Sequence, residues 1–434
     1  VTTEPETHPS SPSLPCGRSR GLILLVFLVF FVIALLTNII GPLVPDIIRS
    51  FRLSLTLVAL LPFSFFIAYG VMSIPSGLLL ERFREKPVLV AAFGTALCGS
   101  LLFALVPKYP TAVLSLFLVG LGMAALQVAI NPLLRVAGGE ERFAANSVLA
   151  QLVFGGASFL GPHVYSYFVT NLERDSPSGP LPVRLVRGLV PPDLPWVSVY
   201  WVFSALVLLM VLVLLLVRFP RVVRKEEEKA GTWVVTRSLF RKRLVGLYFL
   251  GIFAYVGLEQ GTANWISQFL LTYHGYDPHT VGARTVSWFW GLMTIGCLLG
   301  FALLKVLDSR KILVGFSAAA AVFLALALFG PGTVALLAFP LVGFAASVMW
   351  SIIFSLALNS LDRHHGAFSG ILCTGIVGGA VVPLAVGRLG DALGLRLGML
   401  LLYPALGYVF SIGIWARPLV PNETIASRKR KAAS

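Results

Sequence analysis

Runs of about twenty apolar residues recur from Gly21 to Trp415, each long enough to cross the hydrocarbon core of a bilayer as a helix. Charged residues collect in the short gaps between the runs. With 57% of its 434 residues hydrophobic and only 12% charged, the chain lacks the surface charge of a soluble protein, so most of its length must face lipid. Strands crossing a membrane would alternate in polarity over about 10 residues, and these runs do not alternate. The reading is an all-α membrane protein with twelve transmembrane helices, at 21–48, 55–80, 87–107, 111–136, 143–170, 196–218, 244–272, 284–307, 312–330, 333–361, 366–389 and 394–416. The first run is too long for the apolar core of a cleaved signal peptide and no A-x-A-like site follows it, so it is read as a retained helix. Residues 1–20, rich in Ser, Pro and Thr, are expected to be disordered.

The net charge of +15 invites a nucleic-acid reading, which its placement argues against. With the N-terminus in the cytoplasm, 25 of the 34 Lys and Arg fall on the cytoplasmic side. The densest cluster runs from Arg218 to Arg243, and Arg428 to Lys431 lie on the same side. That bias predicts both termini in the cytoplasm of a multi-pass inner-membrane protein, with the bilayer rather than a nucleic acid as partner. Of the four cysteines, Cys98, Cys297 and Cys373 lie in apolar helices and Cys16 in the tail; the spacing fits no metal site, and no disulfide is expected.

The chain repeats itself. Gly77 opens GLLLERFREK after helix 2, and Gly300 opens GFALLKVLDSRK after helix 8, 223 residues on. The same offset carries Gly155-Gly156-Ala157 of helix 5 onto Gly378-Gly379-Ala380 of helix 11, each ahead of a proline. Two parallel six-helix halves follow, with an axis along the membrane normal and a site near the midplane between them. The expected organisation is a tail over 1–20, an N-terminal bundle over 21–218, a cytoplasmic loop over 219–243, a C-terminal bundle over 244–416 and a basic cytoplasmic tail over 417–434.

The segment Gly77–Lys86 resembles the loop signature of the major facilitator superfamily, with Glu81 at its acid, Arg82 at its arginine and Lys86 at its trailing base, while Arg84 replaces the second glycine. LQVAINPLL in helix 4, LAQLVFGGASFLGP in helix 5, FAYVGLEQ in helix 7, and IFSLALNSL with VGGAVVP in helices 10 and 11 resemble the fucose–galactose–hexose proton symporter branch. The resemblance implies the major facilitator fold, alternating access, a monomer, and a gating role for Gly77, Glu81, Arg82 and Lys86 with Gly300 and Asp308 in the second half. The branch's fucose members carry an aspartate in helix 1 and a glutamate in helix 4; Gly41 and Gln127 stand there instead, and Phe154 replaces a polar residue of helix 5.

One acid is read as lying deep in a helix. Glu259 is 15 residues into helix 7, about 22 Å along the axis, with no Lys or Arg at similar depth. An ionisable group there costs about 2.5–3.5 kcal/mol on insertion scales, which makes it a functional candidate. Since low dielectric disfavours the charged form, Glu259 is the candidate for proton coupling; the bland alternative is a neutral Glu bonded to a carbonyl or to Gln127. Gln260, Asn264 and Gln268 follow at four-residue spacing with Trp265 beside them. Helix 4 offers Gln127 and Asn131, helix 5 Gln151 and helix 1 Asn38. Amides both donate and accept, which suits a neutral hydroxylated ligand; singly, each also serves as interhelical glue. Trp265 and Trp350 are deep enough to stack on a ring, whereas Trp196, Trp288, Trp290 and Trp415 read as interfacial belt residues.

No phosphate loop, nucleophile–base pair or metal cluster occurs in the sequence, so neither an enzyme nor a cofactor is expected, and ATP does not drive this chain alone. The expectation is a secondary transporter of a small neutral, sugar-like solute. The rivals are a proton-driven exporter of lipophilic or cationic compounds and an uncoupled sugar facilitator.

Overall fold

A computed structural model describes residues 20–138, 143–174, 180–217, 219, 237–239, 241–361 and 365–419. All but the last residue of the tail over 1–20, most of the loop over 219–243 and the end of the tail over 417–434 lie outside the described residues. Among the described residues, twelve helices are long and apolar enough to cross a membrane: α1 (Gly21–Phe51), α2 (Leu55–Leu80), α3 (Glu85–Leu105), α4 (Tyr109–Leu134), α5 (Asn146–Glu173), α6 (Pro195–Leu216), α7 (Arg243–Ala263, prolonged by Ile266–His274), α8 (Pro278–Leu304), α9 (Ser309–Phe329), α10 (Gly332–Leu358), α11 (Ala367–Leu393) and α12 (Leu395–Trp415). All twelve expected spans are present, most with ends within a few residues of those read from hydropathy.

Local chemistry sets the ends. Ser54 accepts a hydrogen bond from the Leu57 amide at the start of α2, and Asp308 accepts one from Arg310 at the start of α9. Arg52 closes α1 and Gly275 closes α7, both in left-handed backbone, and they are 223 residues apart. The repeat is thus visible in the backbone as well as in the sequence.

Each half packs its own core. In the first, Trp196 stacks on Phe103 at 5.6 Å and meets Phe51 edge-on, while its indole donates to Ser50. In the second, the Tyr248 hydroxyl bonds Ser360 at 3.0 Å and its ring lies against Trp415. Two belt assignments are therefore corrected: Trp196 is 2% exposed and Trp290 is 4% exposed. Hydropathy places an indole near a membrane boundary but does not tell its lipid-facing side from its protein-facing side. Trp288, 45% exposed, does face outward.

The halves meet along two seams, α2 against α11 and α5 against α8. Call the ends that carry the Arg218–Arg243 loop the basic face. At the other face the seams are closed. The α11 carboxylate Asp391 caps α2, accepting from the Leu55 and Thr56 amides at 2.8 Å each. Toward mid-depth, α2 and α11 still touch at Gly379 and Phe66, where an added Cβ would come within 3.1 Å of the ring. On α5, the stripe His163, Phe159 and Gly155 meets Ser287, Trp288 and Thr294 of α8. One turn nearer the basic face on that stripe, Gln151 is exposed. On the α5–α8 seam the halves part there toward the basic face, while α2 and α11 stay in contact at Gly70 and Val377, where an added Cβ would collide.

Candidate functional site

Where α1 passes α7, a side chain on Gly41 would collide with the Ala263 carbonyl, and its Cβ would lie 3.4 Å from the Asn264 Cα. Gly41 and Asn264 are the residues related by the 223-residue repeat, so the internal two-fold passes between them. This contact gives a physical reason for the missing helix 1 carboxylate, because the backbones lie too close at Gly41 to admit one. Both helices are also interrupted nearby, α1 at Asn38–Ile39 and α7 at Asn264–Trp265, and α10 is interrupted at Ser347–Val348. Broken helices free backbone and polar side chains at the depth where a transported solute must be held.

Glu259 is half-buried on α7 just below that contact, toward the open side. Its carboxyl accepts from Gln260 Nε2 at 3.1 Å and bonds the Tyr255 hydroxyl. Tyr255 in turn lies against Trp350 of α10, with ring centroids 6.2 Å apart, and Trp350 stacks on Phe354 at 5.9 Å. Among the described residues no Lys or Arg pairs with Glu259. A carboxyl held by two neutral partners and partly open to water can exchange a proton without breaking an ion pair.

Four of the predicted binding residues gather around the α7 break. Asn264 is 4% and Trp265 2% exposed; Asn264 Nδ2, Trp265 Nε1 and Gln268 Oε1 are buried without a hydrogen-bond partner among the described residues, while Gln268 Nε2 donates to Thr272 at 3.0 Å. Gln260 is the fourth, engaged with Glu259. Buried polar atoms are nearly always paired, so such a group of unpaired ones calls for water or a ligand. Ser267 Oγ, Ser347 Oγ and Trp290 Nε1 share that property; in the sequence Trp290 reads as a belt residue and the two serines as packing residues.

The other predicted binding residues stand apart in this state. Asn38 is 6% exposed and donates to Ser158 of α5 at 2.8 Å, within its own half. Gln127 is half-exposed and Gln151 exposed, both on the open side. Asn131 and Glu81 are helical, and their side chains lie outside the described residues. In the loop signature, Lys86 donates to the Leu215 and Val217 carbonyls at the end of α6, at 2.8 Å each, and Arg82 lies over Phe83. Gly77 is buried; a side chain on Gly300 would collide with Val348 of α10. These contacts lie within single halves, consistent with a parted basic face.

The closed face holds a group that sequence reading passed over. Asp46 on α1 is 5% exposed, so Glu259 is not the one acid withdrawn from water. Asp46 accepts from the Tyr165 hydroxyl of α5 at 2.5 Å and contacts His279 Nε2 of α8 at 2.8 Å, while His279 Nδ1 lies 3.4 Å from Glu173. Asp46 lies near a helix end, and the opposing half covers it, which hydropathy does not record.

The family model described as Major Facilitator Superfamily matches residues 26–383. The glucose/galactose transporter of Brucella abortus biovar 1 (strain 9-941) is 29% identical over 424 residues, covering 95% of this chain and 98% of that one. The L-fucose-proton symporter of Escherichia coli (strain K12) is 26% identical over 403 residues, covering 87% and 89%. A crystal structure of the E. coli fucose:proton symporter superposes with a TM-score of 0.64 at 23% identity, covering 91% of this chain and 98% of that one.

Proposed function

This chain belongs to the Major Facilitator Superfamily, and on that premise we propose that it is a secondary active transporter for a neutral hexose-like sugar, coupled to protons through Glu259. The observation that carries the reading is the Tyr255–Glu259–Gln260 group, half-open to the space between the halves and free of any cation among the described residues. The similar Brucella and Escherichia proteins, named for glucose or galactose and for L-fucose with a proton, support the substrate class.

In this reading the unpaired atoms of Asn264, Trp265 and Gln268 take sugar hydroxyls, with Gln260 beside them. Trp350 offers a ring face, and Asn38, Gln127, Asn131 and Gln151 complete the site as the halves close on the solute. Gly77, Glu81, Arg82, Lys86, Gly300 and Asp308 act at the basic face when it closes. The bundles over 21–218 and 244–416 rock about Gly41 and Asn264. The basic face is cytoplasmic, both termini lie there, and a monomer is the transporting unit in the inner membrane. The bound state needs a neutral carboxyl, because carrying a bare charge across the midplane is costly.

The test is counterflow. Proteoliposomes loaded with unlabelled glucose, galactose or L-fucose should accumulate the same labelled sugar transiently. No counterflow with any of the three, alongside proton release evoked by a cationic dye, would replace the sugar reading with an exporter.

A further inference from the structure

On the closed face, α8 carries an arginine within the first two turns of its apolar span. Arg284 lies six residues below the start of the span at Pro278, about 9 Å along the axis, exposed and without a carboxylate partner among the described residues. Two cavities meet at it. One, of about 550 Å³, runs down the outside of α8 and α10 between Trp288, Leu292, Leu337 and Leu341. Trp288 is 45% and Leu337 70% exposed, so this groove faces lipid tails. The other, of about 310 Å³, lies in the α5–α8 seam, where His163 and Ser166 of the first half oppose Thr280 and Arg284 of the second.

We propose that Arg284 binds the phosphate of a glycerophospholipid from the leaflet opposite the basic loop, with one acyl chain in the Trp288–Leu341 groove. An unpaired guanidinium in the first turns of a membrane span matches a phosphate with two parallel hydrogen bonds. The apolar groove beginning at the cation extends about 12 Å from Arg284 to Leu292, the direction an acyl chain takes from its phosphate toward the bilayer centre. The polar walls of the seam cavity come from both halves, so a headgroup seated there favours the conformation in which this face is closed.

The test titrates purified full-length protein in detergent with phosphatidylglycerol, with diacylglycerol of the same chains and with inorganic phosphate, following the thermal unfolding midpoint. Phosphatidylglycerol is expected to raise the midpoint saturably while the other two do not. Arg284→Gln is expected to raise the half-saturating concentration about tenfold, the loss typical of a charge-assisted hydrogen bond. Leu337→Trp, which fills the groove and keeps the cation, is expected to weaken the response likewise and serves if the first variant does not fold. An equal response to inorganic phosphate would reduce the site to a free-anion site, and an equal response to diacylglycerol to an apolar crevice. A phosphatidylglycerol response unchanged in both variants would also overturn the proposal.

Discussion

Arg84 holds φ at 66° and ψ at 178°, backbone that glycine adopts freely and that costs a residue with a Cβ about 1–3 kcal/mol. It stands where the loop signature has its second glycine, so the departure seen in the sequence has a structural cost. Arg84→Gly is expected to stabilise the protein by about 1 kcal/mol or more, read as a higher unfolding midpoint; an unchanged midpoint would mean the loop relaxes around arginine. Asp308 shows the opposite case. Partial burial pushes its carboxyl up, yet side-chain and backbone hydrogen bonds from Arg310, with Lys311 nearby, hold it below the usual carboxylate range. Its lowered value stabilises the fold above the ordinary carboxylate range, and that contribution disappears as pH falls through the lowered value. Asp308→Ala is expected to cost about 1 kcal/mol at neutral pH through the lost helix cap, with the difference from wild type vanishing in acid. A difference that persisted in acid would assign the effect to packing. Glu259, Asn264 and Trp265 were legible because polarity in an apolar run stands out. Ser267 and Ser347 were not, since small hydroxyls are common packing groups, and Trp290 read as a belt residue; only the loss of partners marks the three.

At the scale of elements, the closed face is held by helix ends gripped from the opposite half. Asp391 of α11 caps α2, and Asp46 of α1, with Tyr165 beside it, engages the start of α8 at His279. Removing the charge from Asp46 should loosen that face. Asp46→Asn keeps a hydrogen-bond acceptor for Tyr165 but loses about 1.5–3 kcal/mol of charge-assisted bonding. The expected result is about a tenfold rise in the reactivity of an Asn264→Cys probe toward a membrane-impermeant maleimide added at the closed face. Unaltered reactivity would mean that the α1–α7 contact at Gly41 closes this face without the Asp46 contact. Element positions were legible because length and hydropathy dictate them. The pairing of helix ends across the halves was not, because it depends on which conformation the halves adopt, and a single sequence encodes more than one.

Across the whole molecule, the 223-residue repeat determines the architecture. It places Gly41 against Asn264 on the internal axis and gives α1 and α7 the same left-handed ending at Arg52 and Gly275. One half of this symmetric frame keeps Glu259 at mid-depth; the other has a glycine where the symporter branch has its aspartate. In the proposed reading, proton coupling acts through Glu259. Internal pH of proteoliposomes, recorded while glucose, galactose or L-fucose is added outside, tests this most directly. The account predicts sugar-evoked acidification in wild type, its loss in Glu259→Gln, and sugar counterflow retained in that variant. Sugar entry without acidification, at the same rate in both proteins, would contradict it and leave an uncoupled facilitator.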